Sequence, residues 1–138
     1  MKFQYKKQKI NNPFYSVNLI PSLLVDVNKV GTKKGYRIEG LLDSGADYCV
    51  INSGYAELLI DVPYTQGTLM KSRGVEGTKD GIDLYFHEID IEIKGLTKIT
   101  THVGFTNSKN VNFLLGRFGF FDRLKVYFNQ PKGYFDIS

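Results

Sequence analysis

Asp43-Ser44-Gly45-Ala46 is the segment of this chain whose residue types fit catalytic chemistry best. A carboxylate takes a proton from water or gives one to a carbonyl, and a nearby Gly lets main-chain amides approach it. Asp-Ser-Gly alone is also a common turn, since Asp and Ser bond their own backbone and Gly supplies unusual dihedrals. Its setting separates the two. Leu41 and Leu42 lead into it and Ala46 follows, so the carboxylate stands at the end of a buried apolar run, a setting in which carboxylates serve as acid–base groups. A second segment, Phe113-Leu114-Leu115-Gly116-Arg117, follows some seventy residues later. By itself it is a core strand ending at a Gly.

Other chemistries find little support. Ser44 is outside any Gly-x-Ser-x-Gly elbow. His87 and His102 have no metal-ligand spacing with each other or with Cys49, and they are expected to be ordinary strand residues. Cys49 lies in Tyr48-Cys49-Val50-Ile51, as a buried thiol does. Val30-Gly31-Thr32-Lys33-Lys34-Gly35 lacks the order of a phosphate loop. No metal and no cofactor are expected.

The elements that position these segments are strands. The 138 residues fit one domain, 1–138, and include nine Tyr, ten Phe and no Trp. Val, Ile, Tyr, Phe and Thr recur in short runs between Gly, Asn and Lys clusters, the composition of an all-β fold. One cysteine excludes an internal disulfide framework. Phe3 to Lys9 is a short edge strand or arm. Tyr15 to Val27 contains Pro21, so it is either an edge strand or two strands joined by a bend. Tyr36 to Leu42 runs into Asp43. Ser53 is placed to cap a short helical turn through Ala56 to Leu59.

Thr65 to Arg73 and Ile82 to Ile93 form a long hairpin around the Gly-rich tip 74–81. Apolar parity in its second arm flips, from Ile82, Leu84 and Phe86 to Ile89, Ile91 and Ile93. Such a flip requires a bulge or a passage from one sheet to another. Ile99 to Phe105 is a further strand, Phe118 to Leu124 has the spacing of a short helix, and Lys125 to Phe128 with Tyr134 to Ile137 closes the chain as a hairpin.

The formal net charge is +4, part of it from Lys2, Lys6, Lys7, Lys9, Lys29, Lys33 and Lys34. Such a surplus fits a solvated surface that protects sheet edges, and no nucleic-acid partner is expected. No apolar h-region follows Met1-Lys2-Phe3, and no run approaches membrane-spanning length. The expected compartment is the cytoplasm, with no membrane partner.

A strand into Asp43-Ser44-Gly45-Ala46, a Gly-tipped hairpin at Gly74-Val75-Glu76-Gly77, and Leu114-Leu115-Gly116-Arg117 before Phe118-Gly119-Phe120-Phe121-Asp122 together resemble the retropepsin family. This family comprises the retroviral proteases, their ubiquitin-linked eukaryotic relatives and single-domain bacterial counterparts, and the last are the nearest in type. The resemblance is clearest over 36–137. Residues 1–30 are expected to form N-terminal strands. It implies a closed or partly open β-barrel of the retropepsin (acid protease) type with one short helix near the C-terminus.

It also implies an aspartic endopeptidase that cleaves peptide or protein substrates as a homodimer. Two Asp43 carboxylates, one per chain, would face each other and share a proton. One would activate water and the other would protonate the scissile carbonyl. Ser44 would cross-bond the two loops, and the Gly45 amide would donate to the carboxylates. Asp47 would pair with Arg117, bracing the loop against the segment after Leu115 and Gly116. The backbone at Ala46 and Asp47 would bind substrate as an added strand, beneath a flap at Gly74, Val75, Glu76 and Gly77. Ala46 lacks the hydroxyl usual in pepsins, so a mildly acidic optimum is expected. Glu76 departs from the small residue of many relatives. The C-terminal strand Tyr134 to Ile137 is expected to offer its edge to the second copy. The rival expectations are a catalytically silent peptide-binding or assembly module on the same fold, and a basic β-barrel for single-stranded nucleic acid.

Overall fold

Alternating apolar and polar residues give strands with one face to bury. The computed structural model describes residues 1–72 and 81–138. Its strands are β1 (Lys2–Gln4), β2 (Lys6–Lys9), β3 (Val17–Ile20), β4 (Ser22–Asn28), β5 (Gly35–Leu42), β6 (Val50–Asn52), β7 (Thr68–Ser72), β8 (Ile82–Ile93), β9 (Thr97–Thr106), β10 (Phe113–Leu115), β11 (Val126–Asn129) and β12 (Tyr134–Ile137). A short helix, α1 (Ala56–Leu59), follows β6.

Strands β4, β5, β10, β6, β9 and β8 pair in that order, and β8 returns to pair with β4. The fold is therefore all-β, a barrel closed by the β4–β8 ladder, with β7 added outside β8. Its interior holds Leu23, Val25, Ile51, Ile91, Phe105 and Leu115, each almost fully buried. Each such side chain stabilises the fold by about 1.5–3 kcal/mol.

The break at Pro21 is the bend between two strands. β3 ends at Ile20, β4 begins at Ser22, and the two belong to different sheets. The parity flip in β8 comes from neither the expected bulge nor a passage to another sheet, since β8 stays in one sheet throughout. Its register with β9 runs unbroken from Tyr85↔Phe105 to Ile93↔Thr97, with no bulge. Its other edge changes partner, from β7 at 82–86 to β4 at 90–92. Ile82 and Leu84 thus cover a small cluster with Val50 and Val111, while Ile89, Ile91 and Ile93 face the main core.

Three expectations are corrected. Ser53 does not cap the helical turn Ala56–Leu59, which starts at Tyr55 without a side-chain cap; Asn52, its backbone still extended (φ −65°, ψ 137°) at the end of β6, caps a preceding 3-10 turn, Ser53–Tyr55, by accepting from the Gly54 amide at 2.9 Å. Phe118 to Leu124 coils through turns rather than a regular helix. Its amides reach back to Gly116, Arg117 and Phe120, and Gly119 at φ 100° breaks the helical path. The short helix of the fold is α1.

The third correction concerns Tyr134–Ile137. β12 has no free edge, since it lies between β1 and β11. The turn at Gln130–Lys132 folds β11 back onto it, with Asn129 Oδ1 accepting from the Lys132 amide at 3.2 Å. On the other side Phe3 stacks on Phe135 at 5.5 Å, which draws β1 onto β12.

Candidate active site

Strands β5 and β6 are consecutive in the chain but not neighbours in the sheet. β10 slots between them, parallel to β5 (Leu114↔Leu41, Leu115↔Leu42) and antiparallel to β6 (Phe113↔Ile51, Leu114↔Val50). The segment 43–49 must therefore arch across the end of β10, and Asp43 begins the arch.

Main-chain bonds fix its shape. The Asp43 amide donates to Leu115 O at 3.0 Å, and the Ala46 amide to Asp43 O at 3.1 Å. The chain leaving β10 answers from below, with the Arg117 amide on Ala46 O and the Phe118 amide on Asp47 O, both at 2.8 Å. Each of these carbonyls keeps a second lone pair. Gly116 makes the crossing possible, because a Cβ there would overlap the Tyr48 carbonyl and lie 2.9 Å from Ala46 O.

The Gly45 amide donates to Asp43 Oδ1 at 3.0 Å. A hydrogen bond to an ionised carboxylate is about twice as strong as a neutral one, and it holds the side chain in one orientation. Asp43 is half-buried, whereas Ser44 and Gly45 are exposed at the crest. Asp47 and Arg117 form a direct ion pair between their side chains, so Asp47 is committed to bracing. Gly74, Val75, Glu76 and Gly77 lie outside the described residues.

Cys49 is buried, as expected, but its contact beside the arch and an aromatic groove there are absent from the expectations above. Cys49 Sγ lies 3.4 Å from the Gly116 amide that points at it. Burial pushes this thiol up to about 12, although the Gly116 contact works in the opposite direction. Tyr48 packs against Phe86 at 5.2 Å and Phe118 at 5.9 Å. These three rings, with Thr68, Met70 and His102, line an open groove of about 450 Å³ beside the arch. Its signal in the sequence is slight: Tyr48 and Phe118 each follow one member of the Asp47–Arg117 pair.

His87 Nε2 sits 2.7 Å from Tyr64 O, and His102 lies 3.7 Å from Glu88 on the surface. Among the described residues no three His, Cys, Asp or Glu side chains converge as a metal site, and no helix is long and apolar enough to cross a membrane.

No family model matches the chain, and no curated protein matches it. Among solved structures, it is similar to the EIAV protease complexed with the inhibitor HBY-793. The sequence identity is 20%, the likeness covers 78% of this chain and 88% of that one, and the TM-score is 0.46. So distant a likeness lends no weight to function, which rests on the geometry of the arch.

Proposed function

We propose that this chain is an aspartic endopeptidase whose working form is a homodimer. The observation that carries this is the Asp43 arch. A carboxylate is set at a strand end, oriented by the Gly45 amide, and locked by main-chain bonds to Leu115 and from Arg117. One carboxylate cannot act as general base and general acid at the same moment. A second Asp43 supplies the missing partner, and a two-fold axis brings identical arches together.

Hydrolysis then balances simply. Water's oxygen bonds to the scissile carbonyl carbon as its proton passes to one carboxylate, while the other carboxylate gives its proton to the carbonyl oxygen. Collapse of the tetrahedral intermediate breaks the C–N bond: the nitrogen leaves with the proton that one carboxylate took from water, and one hydroxyl of the intermediate returns its proton to the other carboxylate as the new carbonyl forms, which restores the dyad. The peptide lies along Ala46 and Asp47 as an added strand, and the groove lined by Tyr48, Phe86 and Phe118 receives one of its larger apolar side chains.

The test is a peptide library incubated from mildly acidic to neutral pH beside Asp43→Asn, with products read by mass spectrometry. Cuts by the wild type that vanish in the variant are expected. A folded, dimeric wild type that makes no cuts at any pH overturns the protease proposal in favour of a binding module.

A further inference from the structure

This inference rests on the dimeric dyad. With β12 paired along both edges, its own edge is not what holds a second copy, and an exposed element beside the arch takes that role. We infer that the β2–β3 ribbon is the arm by which each chain clasps the other, with Phe14 and Tyr15 at its tip seated on the body of the second copy.

The ribbon springs from beside the site. β3 passes through Pro21 into β4, and Pro21 O accepts from the amide of Leu42, the residue before Asp43, at 2.9 Å. Lys6 Nζ meets Glu39 Oε2 at 2.9 Å and pins the base of the ribbon to β5. Among the described residues β2 and β3 ladder only with each other, and the whole of β2 is exposed.

The tip is apolar, exposed and held in shape. Phe14 is 83% exposed and Tyr15 69% exposed, with exposed Val17 next along the ribbon. Asn12 Oδ1 accepts from the amides of Phe14 at 2.8 Å and Tyr15 at 3.2 Å. Pre-shaped aromatic side chains are the groups that anchor protein interfaces.

Charge selects where the tip goes. Three of the 18 basic residues, Lys6, Lys7 and Lys9, and none of the 14 acidic residues lie on this arm, so it carries +3 of the formal charge of +4 and the rest of the chain is nearly balanced. Two such arms repel each other. They stay apart on opposite sides of a two-fold axis, and each lies on the nearly neutral body of the other chain rather than on the other arm.

The test is the double variant Phe14→Ser, Tyr15→Ser. Both side chains are exposed, so the fold should stay intact, and thermal melting checks that it does. Sedimentation over a range of concentrations should show a dimeric wild type and a variant dimer weakened roughly tenfold or more. Peptide cleavage should fall at limiting enzyme and recover at high concentration. A variant that dimerises like the wild type overturns the arm and leaves the dyad standing. A wild type that stays monomeric at every concentration overturns the dyad and the arm together. A variant that keeps its dimer but loses binding to anionic vesicles or single-stranded oligonucleotide assigns the tip to lipid or nucleic acid, which also overturns the clasp.

Discussion

At the residue scale, the Asp47–Arg117 pair separates stability from function. Both side chains are more than half exposed, and an exposed ion pair contributes at most about 1 kcal/mol. Its geometric effect is larger, because it braces the far end of the arch that carries Asp43. Arg117→Ala is therefore expected to lower peptide turnover at least tenfold on the proposed function, while denaturant unfolding shifts by less than about 1 kcal/mol. Equal losses in both measurements would make the pair merely structural. Cys49 gives a second prediction. Its buried thiol keeps its proton to about 12, against 9.0 for an ordinary thiol. Iodoacetamide near neutral pH should leave it unmodified in the folded chain and alkylate it after denaturation. The sign of its pH linkage follows from the raised value: the stability it contributes is complete below the unfolded thiol's pKa and is lost as pH rises toward the folded one.

At the element scale, the arch depends on β10 passing beneath it, and Gly116 is where the two backbones come closest. Gly116→Ala places a methyl group against the Tyr48 and Ala46 carbonyls, so the crossing must open. A loss of about 1–3 kcal/mol in stability is expected, with loss of peptide cleavage. A crystal structure of the variant should show the arch lifted from Leu115; unchanged stability would mean that the crossing has slack. Much of this element-level arrangement was legible in the sequence. Period-two runs marked the strands and Pro21 offered the bend as one of two readings, while the parity flip in β8 marked a real change of face whose cause, a change of edge partner within one sheet, was not foreseen. Neighbours were not legible, because alternation reveals which face of a strand is buried but not which strand lies beside it. That is why β12 read as a free edge, although a turn and the Phe3–Phe135 stack pair it on both sides. The spacing of Phe118, Phe120, Phe121 and Leu124 read as a helix, and Gly119 with φ 100° diverts it into turns. At the site, Asp43 and its support from Leu115, Gly116 and Arg117 were legible as a motif. The Tyr48–Phe86–Phe118 groove was not, because its rings come from three distant segments.

At the scale of the whole molecule, the proposal makes activity a property of pairs of chains. If each active site needs one Asp43 from each chain, inactive chains should poison active ones. Asp43→Asn differs from the wild type by a side chain of nearly the same shape, so mixed dimers should form about as readily as pure ones. In an equilibrated mixture of equal parts, about a quarter of the dimers are then wild type on both sides, and half of the wild-type chains are trapped in mixed pairs. Turnover per wild-type chain should fall to about half, and it should keep falling as the variant is added in excess. A monomeric enzyme, with all its chemistry in one chain, would instead lose nothing when diluted with inactive copies. The same titration with Asp43→Asn in the Phe14→Ser, Tyr15→Ser background should poison less, because each mixed pair keeps only one of its two clasps. Poisoning by that triple variant as strong as by Asp43→Asn alone would show that the arm of the second copy contributes nothing.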